Sequence, residues 1–231
     1  MLDIAQLSVS YGKIEVLHDV SMHIAHNECV ALLGPNNAGK TTLLRAISGL
    51  VPAHSGSIRF ADADIRNQRS DQIVAQGIIQ IPEGRHIFAG LSVEENLLVG
   101  GARLKPRARR RQLDKLLDAL PLLAELRARR AGTLSGGQQQ LVVICRALMA
   151  EPRLLLIDEP TLGLSPVAID DVFTTLRNVH GAGTTILLSE QNAELSLELC
   201  SRGYVMAGGR IVLEGDSAQL KAAALGEVYL T

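Results

Sequence analysis

The chain has 231 residues, 47% of them apolar, with 23 Lys and Arg against 24 Asp and Glu. That length supports one large domain with a full core, and the balanced charge excludes a global pull toward nucleic acid or other polyanions. Met1-Leu2-Asp3-Ile4 lacks the basic start of a secretion signal, and no run reaches the roughly 18 apolar residues of a membrane helix, so the chain reads as cytosolic, meeting a membrane only through a partner.

The opening segment alternates apolar and polar residues at Leu7, Val9 and Tyr11 and at Val20, Met22 and Ile24, which predicts antiparallel strands with one wet face. The pattern then changes. Val30-Ala31-Leu32-Leu33, Ile78-Ile79-Gln80-Ile81, Leu154 to Ile157 and Ile186-Leu187-Leu188 are nearly continuous apolar runs, as expected of parallel strands covered on both faces. Between them, Leu43, Ala46, Ile47 and Leu50, and then Ile169, Val172, Phe173 and Leu176, recur at the spacing of one buried helix face. Ser165-Pro166 supplies a cap and a first-turn proline for the second helix. Strand followed by helix, repeated, predicts an α/β fold.

Residues 84–150 interrupt that alternation with helix signals only: the capping box Ser92-Val93-Glu94-Glu95 and the stripe Leu113, Leu116, Leu117 and Leu120. They read as a helical insertion in an α/β core of residues 1–83 and 151–231, all within a single domain of residues 1–231. The three cysteines, Cys29, Cys145 and Cys200, are odd in number, widely spaced and set among apolar neighbours. They read as small core residues of a reducing compartment, forming neither a disulfide framework nor a zinc site.

Three segments carry chemistry. Gly34-Pro35-Asn36-Asn37-Ala38-Gly39-Lys40-Thr41 follows an apolar strand and precedes a helix, the setting in which such a loop wraps phosphates with backbone N–H groups. Lys40 can then reach the β and γ oxygens, and Thr41 can ligate Mg²⁺. Asp158-Glu159 ends another strand, so both carboxylates emerge beside the phosphate at the sheet's carboxyl edge. Asp158 is read as an Mg²⁺ holder and Glu159 as the group that polarises the attacking water. Leu134-Ser135-Gly136-Gly137-Gln138-Gln139-Gln140 opens a helix with the stripe Leu141, Ile144, Cys145, Leu148 and Met149, which puts Ser135 at an end that attracts anions.

Taken in chain order, with Leu134 to Gln140 between the loop and the acidic strand, the segments resemble the ATP-binding subunits of ABC transporters over essentially the whole chain. The resemblance implies a P-loop NTPase core with an N-terminal antiparallel β subdomain and an inserted α-helical subdomain. It implies ATP binding by Gly34, Pro35, Asn36, Asn37, Ala38, Gly39, Lys40, Thr41 and Thr42, with Tyr11 stacked on adenine. It also implies a head-to-tail dimer, homomeric or with a paralogous ATPase, in which Ser135, Gly136, Gly137 and Gln138 cap the ATP of the facing subunit. Leu162-Gly163-Leu164-Ser165-Pro166 matches the segment that crosses that interface, with Ser-Pro where Leu-Asp is usual. The implied activity is ATP hydrolysis driving transmembrane permease subunits, and indirectly a substrate-binding protein, from the cytoplasmic face of the inner or plasma membrane.

Three departures narrow the resemblance. Asn37 stands where most relatives have glycine, and asparagine tolerates positive φ. Glu83, in Ile81-Pro82-Glu83-Gly84-Arg85, takes the place of a γ-phosphate-sensing glutamine and still offers Mg²⁺ an oxygen. Gln191, in Leu188-Ser189-Glu190-Gln191-Asn192, replaces a switch histidine by a group that cannot carry positive charge, which predicts slower hydrolysis. Pro-Glu-Gly-Arg with Glu-Gln-Asn resembles the smaller ATPase of branched-chain amino acid importers, as do Ser92 to Leu98 and Arg210 to Gly215. Urea and short-chain amide importers use similar subunits, and lipopolysaccharide-export ATPases generally keep the histidine.

The basic run Arg103, Lys105, Arg107, Arg109, Arg110 and Arg111, with Arg127, Arg129 and Arg130, reads as a solvated helical face near anionic headgroups. A nucleic-acid-associated ATPase of this type is expected to carry coiled coils, zinc modules or tandem domains, so no nucleic-acid partner is expected. A degenerate subunit that binds ATP only to complete a partner's site is the other alternative. Intact Lys40, Asp158, Glu159 and Ser135 argue against it.

Overall fold

The two strand patterns become two sheets in the computed structural model, which describes residues 1–225. The first sheet has the order β2-β1-β4-β5, with β1 Leu2–Tyr11, β2 Ile14–Ile24, β4 Ala53–Phe60 and β5 Ala63–Asp64. β1 pairs antiparallel with β2 on one side and β4 on the other. In β2 the alternation sends Val20, Met22 and Ile24 inward and leaves Ser21 and His23 in water. Tyr11, the last residue of β1, leaves the core and is 43% exposed.

The second sheet has the order β10-β9-β3-β8-β7-β6. Its members are β3 Cys29–Leu33, β6 Ile78–Ile81, β7 Leu154–Asp158, β8 Thr185–Glu190, β9 Arg202–Ala207 and β10 Arg210–Asp216. All pairs are parallel except β9 with the edge strand β10. Strands covered on both faces explain the apolar runs: Val30 and Leu32 of β3 enter the core shared with the first sheet, while Ala31 and Leu33 enter the opposite one. Leu154 and Leu156 of β7 divide from Leu155 and Ile157 in the same way. The sequence named four of these strands and left β9 and β10 unassigned.

α1 Lys40–Ile47 and α2 Ser70–Ala75 follow the β3 and β5 strands, and α7 Pro166–Gly181, α8 Ala193–Leu199 and α9 Ser217–Leu225 complete the α/β part. The predicted face of the first helix runs one residue too far. α1 ends at Ile47, Gly49 takes φ 68°, and Leu50 beyond that turn is 58% exposed. Between β6 and β7 lie α3 Val93–Gly100, α4 Pro106–Ala119, α5 Pro121–Glu125 and α6 Gly136–Leu148, with one isolated bridge, Ser92 to Arg130, among the described residues. Leu113, Leu116 and Leu117 of α4 join Val143 and Ile144 of α6, Leu155 and Ile157 in one continuous apolar cluster.

Part of the basic run is consumed locally. Glu94 of α3 accepts from Arg110 Nη1 at 2.9 Å and from Arg127 Nη2 at 2.8 Å, which ties α3 to α4 and to the segment after α5. Cys29 and Cys200 lie 171 positions apart, yet their sulfurs meet at 2.9 Å in the core as free thiols. Cys145 is fully buried, and burial pushes its thiol up to about 12.

Candidate functional site

The phosphate loop is shaped by residues that only a small or φ-tolerant side chain can fill. A Cβ at Gly34 would stand 2.3 Å from the Met206 carbonyl oxygen, so glycine is required where the loop leaves β3 past the end of β9. Asn37 adopts φ 67°, the left-handed region that asparagine accepts. Gly39, at φ 106°, starts α1 with no side chain capping its first turn, which leaves the helix N–H groups free for an anion.

Lys40 is buried, 4% exposed, and its Nζ donates to the Gly34 carbonyl at 2.7 Å and the Pro35 carbonyl at 3.1 Å. Its third partner is Glu159 Oε1 at 3.1 Å, supplied by the end of β7. A buried ammonium needs such neighbours to stay charged. Asn36, Asn37, Ala38, Gly39, Lys40, Thr41 and Thr42, with Tyr11, Glu83, Glu159 and Leu162, line a cavity of 630 Å³. The structure therefore gathers the loop, the strand-end acid, the exposed aromatic and the Glu83 segment, residues scattered over the first 162 positions. Gln191 faces an adjoining cavity of 340 Å³ that shares Glu159 and Leu162.

Asp158 lies beneath this cavity and is 1% exposed. Its Oδ1 accepts from Ser189 Oγ at 2.9 Å, while Oδ2 is buried with no hydrogen-bond partner among the described residues. Burial pushes the Asp158 carboxyl above the usual aspartate range, against the pull of the Thr41 and Ser189 hydroxyls.

The signature segment lies elsewhere. Ser135 caps α6: its hydroxyl accepts from Gln138 N at 3.3 Å, and Gln138 Oε1 accepts from Ser135 N at 3.1 Å. Ser135 is exposed, and none of Ser135, Gly136, Gly137 and Gln138 lines the cavity that holds Lys40. A Cβ at Gly136 would meet the Arg85 guanidinium at 3.0 Å, and Arg85 Nη2 donates to the Gly163 carbonyl at 3.1 Å. Arg85 thus joins the start of α6 to the loop before α7.

The sequence reading missed the residues that hold the acids. In Leu188-Ser189-Glu190-Gln191 the sequence gives a site role to Gln191 and only a subgroup resemblance to Glu190, yet Ser189 binds Asp158 and Glu190 binds Thr161. Glu190 is 4% exposed, and burial pushes its carboxyl up against the hydrogen bonds from Thr161 that pull it down. A polar pair ending a buried strand was the available signal.

A phosphate-binding loop on a parallel sheet, with buried acids at the neighbouring strand end, defines a P-loop nucleotide-binding protein. Residues 17–162 match the ABC transporter family, and the chain belongs to that family as an ATP-binding subunit with transport-coupled ATPase activity. It is 44% identical over 220 residues to the high-affinity branched-chain amino acid transport ATP-binding protein BraG of Pseudomonas aeruginosa, covering 95% of this chain and 94% of that protein. It is 32% identical to the lipopolysaccharide export system ATP-binding protein LptB of Escherichia coli K12, covering 93% of this chain and 90% of that one. A nucleotide-free ATP-binding cassette from an ABC transporter superimposes with a TM-score of 0.91 at 28% identity, over 100% of this chain and 97% of that chain. The ADP conformation of the cassette MJ1267 gives 0.87 at 28% identity, over 100% and 96%. No helix among the described residues is long and apolar enough to cross a membrane.

Proposed function

We propose that this chain is the ATP-hydrolysing subunit of a branched-chain amino acid importer, held at the cytoplasmic face of the inner or plasma membrane by permease subunits. The observation that carries the catalytic part is the Lys40 to Glu159 contact at 3.1 Å inside the loop-lined cavity. The cargo rests on the 44% identity to BraG against 32% to LptB, and the amide at Gln191 disfavours export without choosing the cargo.

In this reading the γ-phosphate of ATP displaces Glu159 from Lys40. The ammonium then neutralises phosphate charge, and the released carboxylate orients and polarises the attacking water. The free N–H groups of the loop and of the start of α1, Gly39 to Thr42, cradle the phosphates, Tyr11 stacks on the adenine, and Gln191 contacts the γ-phosphate side as a neutral amide. The donor set fits a hard divalent cation: Asp158 Oδ2 is buried without a partner, and the Thr41 hydroxyl is near enough to the same carboxyl to pull its pKa down. Thr41, Asp158 and Glu83 would hold Mg²⁺, which when bound offsets charge on the β and γ phosphates.

Ser135, Gly136, Gly137 and Gln138 serve the ATP of the facing subunit, a second copy or a paralogue. The permease docks on the helical region of residues 84–150 and the Glu83 segment, where a groove of 370 Å³ runs past Phe88, Val99, Arg103 and Arg146. A substrate-binding protein acts indirectly, through the permeases, and no nucleic acid takes part. Lys40→Ala in the assembled transporter is expected to abolish ATP-driven leucine uptake, and normal uptake would sink the catalytic reading. Uptake of urea and not of leucine, isoleucine or valine by cells expressing the chain with its permeases would overturn the cargo.

A further inference from the structure

Glu159 sits in a conformation its residue type resists. Its φ is 44°, the left-handed region that costs a side-chain-bearing residue energy. Such strain persists where the surroundings over-determine it. Two consecutive residues at the end of β8 do so here. On one side the Glu159 N–H donates to the Ser189 carbonyl at 2.9 Å. On the other, two residues along the chain, the Thr161 N–H and hydroxyl donate to Glu190 Oε1 at 3.2 Å and 2.7 Å. Pro160 stands between them and adds no donor.

Glu190 itself is an unusual choice for that work. It is 4% exposed, it makes no ion pair among the described residues, and its other oxygen accepts from the Gln191 N–H at 3.3 Å. A buried carboxylate without a cation is costly unless its lone pairs are filled by donors. Three N–H and O–H groups fill them, all from the two loops that flank the Glu159 turn. An apolar residue would pack there at lower cost and would leave the Thr161 amide without an acceptor.

We infer that Glu190 is a positioning residue that, by gripping Thr161, holds the strained Glu159 turn in the geometry that aims its carboxylate into the nucleotide cavity. The inference rests on Glu159 being the working base, as proposed above. Glu190 need not touch ATP; it lines the adjoining Gln191 cavity and not the one that contains Lys40.

The test is steady-state ATP turnover by the assembled transporter, with amide hydrogen exchange of the full chain alongside. Glu190→Ala is expected to lower kcat by about tenfold to a hundredfold with KM for ATP within about twofold, the signature of a misaimed group. The same change should accelerate exchange at the Thr161 amide. Thr161→Val, which keeps shape and removes one donor, is expected to lower kcat several-fold, and Thr161→Ser to restore it. This pair carries the test if Glu190→Ala does not fold. Glu159→Gln with Glu190→Ala is expected to be no slower than Glu159→Gln alone, because Glu190 acts through Glu159. A kcat within twofold of normal in Glu190→Ala, a rise in KM at unchanged kcat, or an additive double variant overturns the inference. If Glu159→Gln itself leaves turnover unchanged, the proposed base is wrong; if it abolishes turnover while Glu190→Ala and Thr161→Val do not matter, only the role of Glu190 is wrong.

Discussion

The starts of α1 and α6 are built from the same materials and end in opposite states. Each is a helix amino terminus with glycine at its start: Gly39 caps α1, and Gly136 and Gly137 open α6. At α1 the first residue, Lys40, is buried and held by two carbonyls and Glu159, inside a cavity whose other walls come from the same chain. At α6 the cap, Ser135, is exposed and its hydroxyl is turned onto its own helix. One helix end is enclosed by groups of its own chain; the other keeps an exposed, self-bonded cap with the Arg85 guanidinium beside Gly136. A helix terminus attracts anions in either setting, so what separates the two is whether the fold encloses it in a cavity of its own chain.

The largest test of that contrast is at Glu159. Replacing it with Gln is expected to lower phosphate release by the assembled transporter by about a thousandfold, the middle of the range for losing a general base. ATP binding should persist, measured by nucleotide retention. Next comes Ser135→Ala. Turnover of the assembled transporter is expected to fall by roughly tenfold to a hundredfold, as for loss of a transition-state donor, while ATP affinity of the isolated chain stays within about twofold because Ser135 lies outside the Lys40 cavity. An equal loss of affinity in the isolated chain would break the comparison between the two helix ends.

A smaller effect is expected in the opposite direction. Gln191→His restores a group able to carry positive charge beside the Glu159 cavity and should raise kcat by a few fold, with a steeper fall at high pH where imidazole is neutral. Asn37→Gly is the smallest. The backbone already sits at φ 67°, which glycine also adopts, so ATP affinity should change by less than about threefold and stability by a few tenths of a kcal/mol. A large loss would mean that the Asn37 side chain itself holds the nucleotide.

The phosphate loop was legible because its information is local: eight consecutive residues carry the turn, the cation and the hydroxyl. The buried strands were legible for the same reason, since coverage on both faces writes a continuous apolar run. β10 was not, because at the sheet edge it is half-covered and alternates between partly buried and exposed residues. The grip of Glu190 on Thr161, 29 positions away, and the meeting of Cys29 and Cys200 leave no periodic trace in the chain. Arg202 is the same case: it binds Glu28, 174 positions earlier, and the His23 carbonyl.

By itself the sequence determined the chemistry on offer: a phosphate loop, a pair of strand-end acids, a serine-capped helix, and the family whose order they follow. Only the tertiary structure decided which of these meet. The strand order β10-β9-β3-β8-β7-β6 sets β3 and β7 on either side of β8, and that adjacency carries Lys40 to Glu159 and gives both acids their supports in Ser189 and Glu190. Backbone propensity and hydrophobic period act over a few residues, whereas the pairing of distant strands is settled by packing of the whole core. The signature segment with its exposed Ser135 cap is therefore readable as a motif, and the geometry around Glu159 is readable only in the fold.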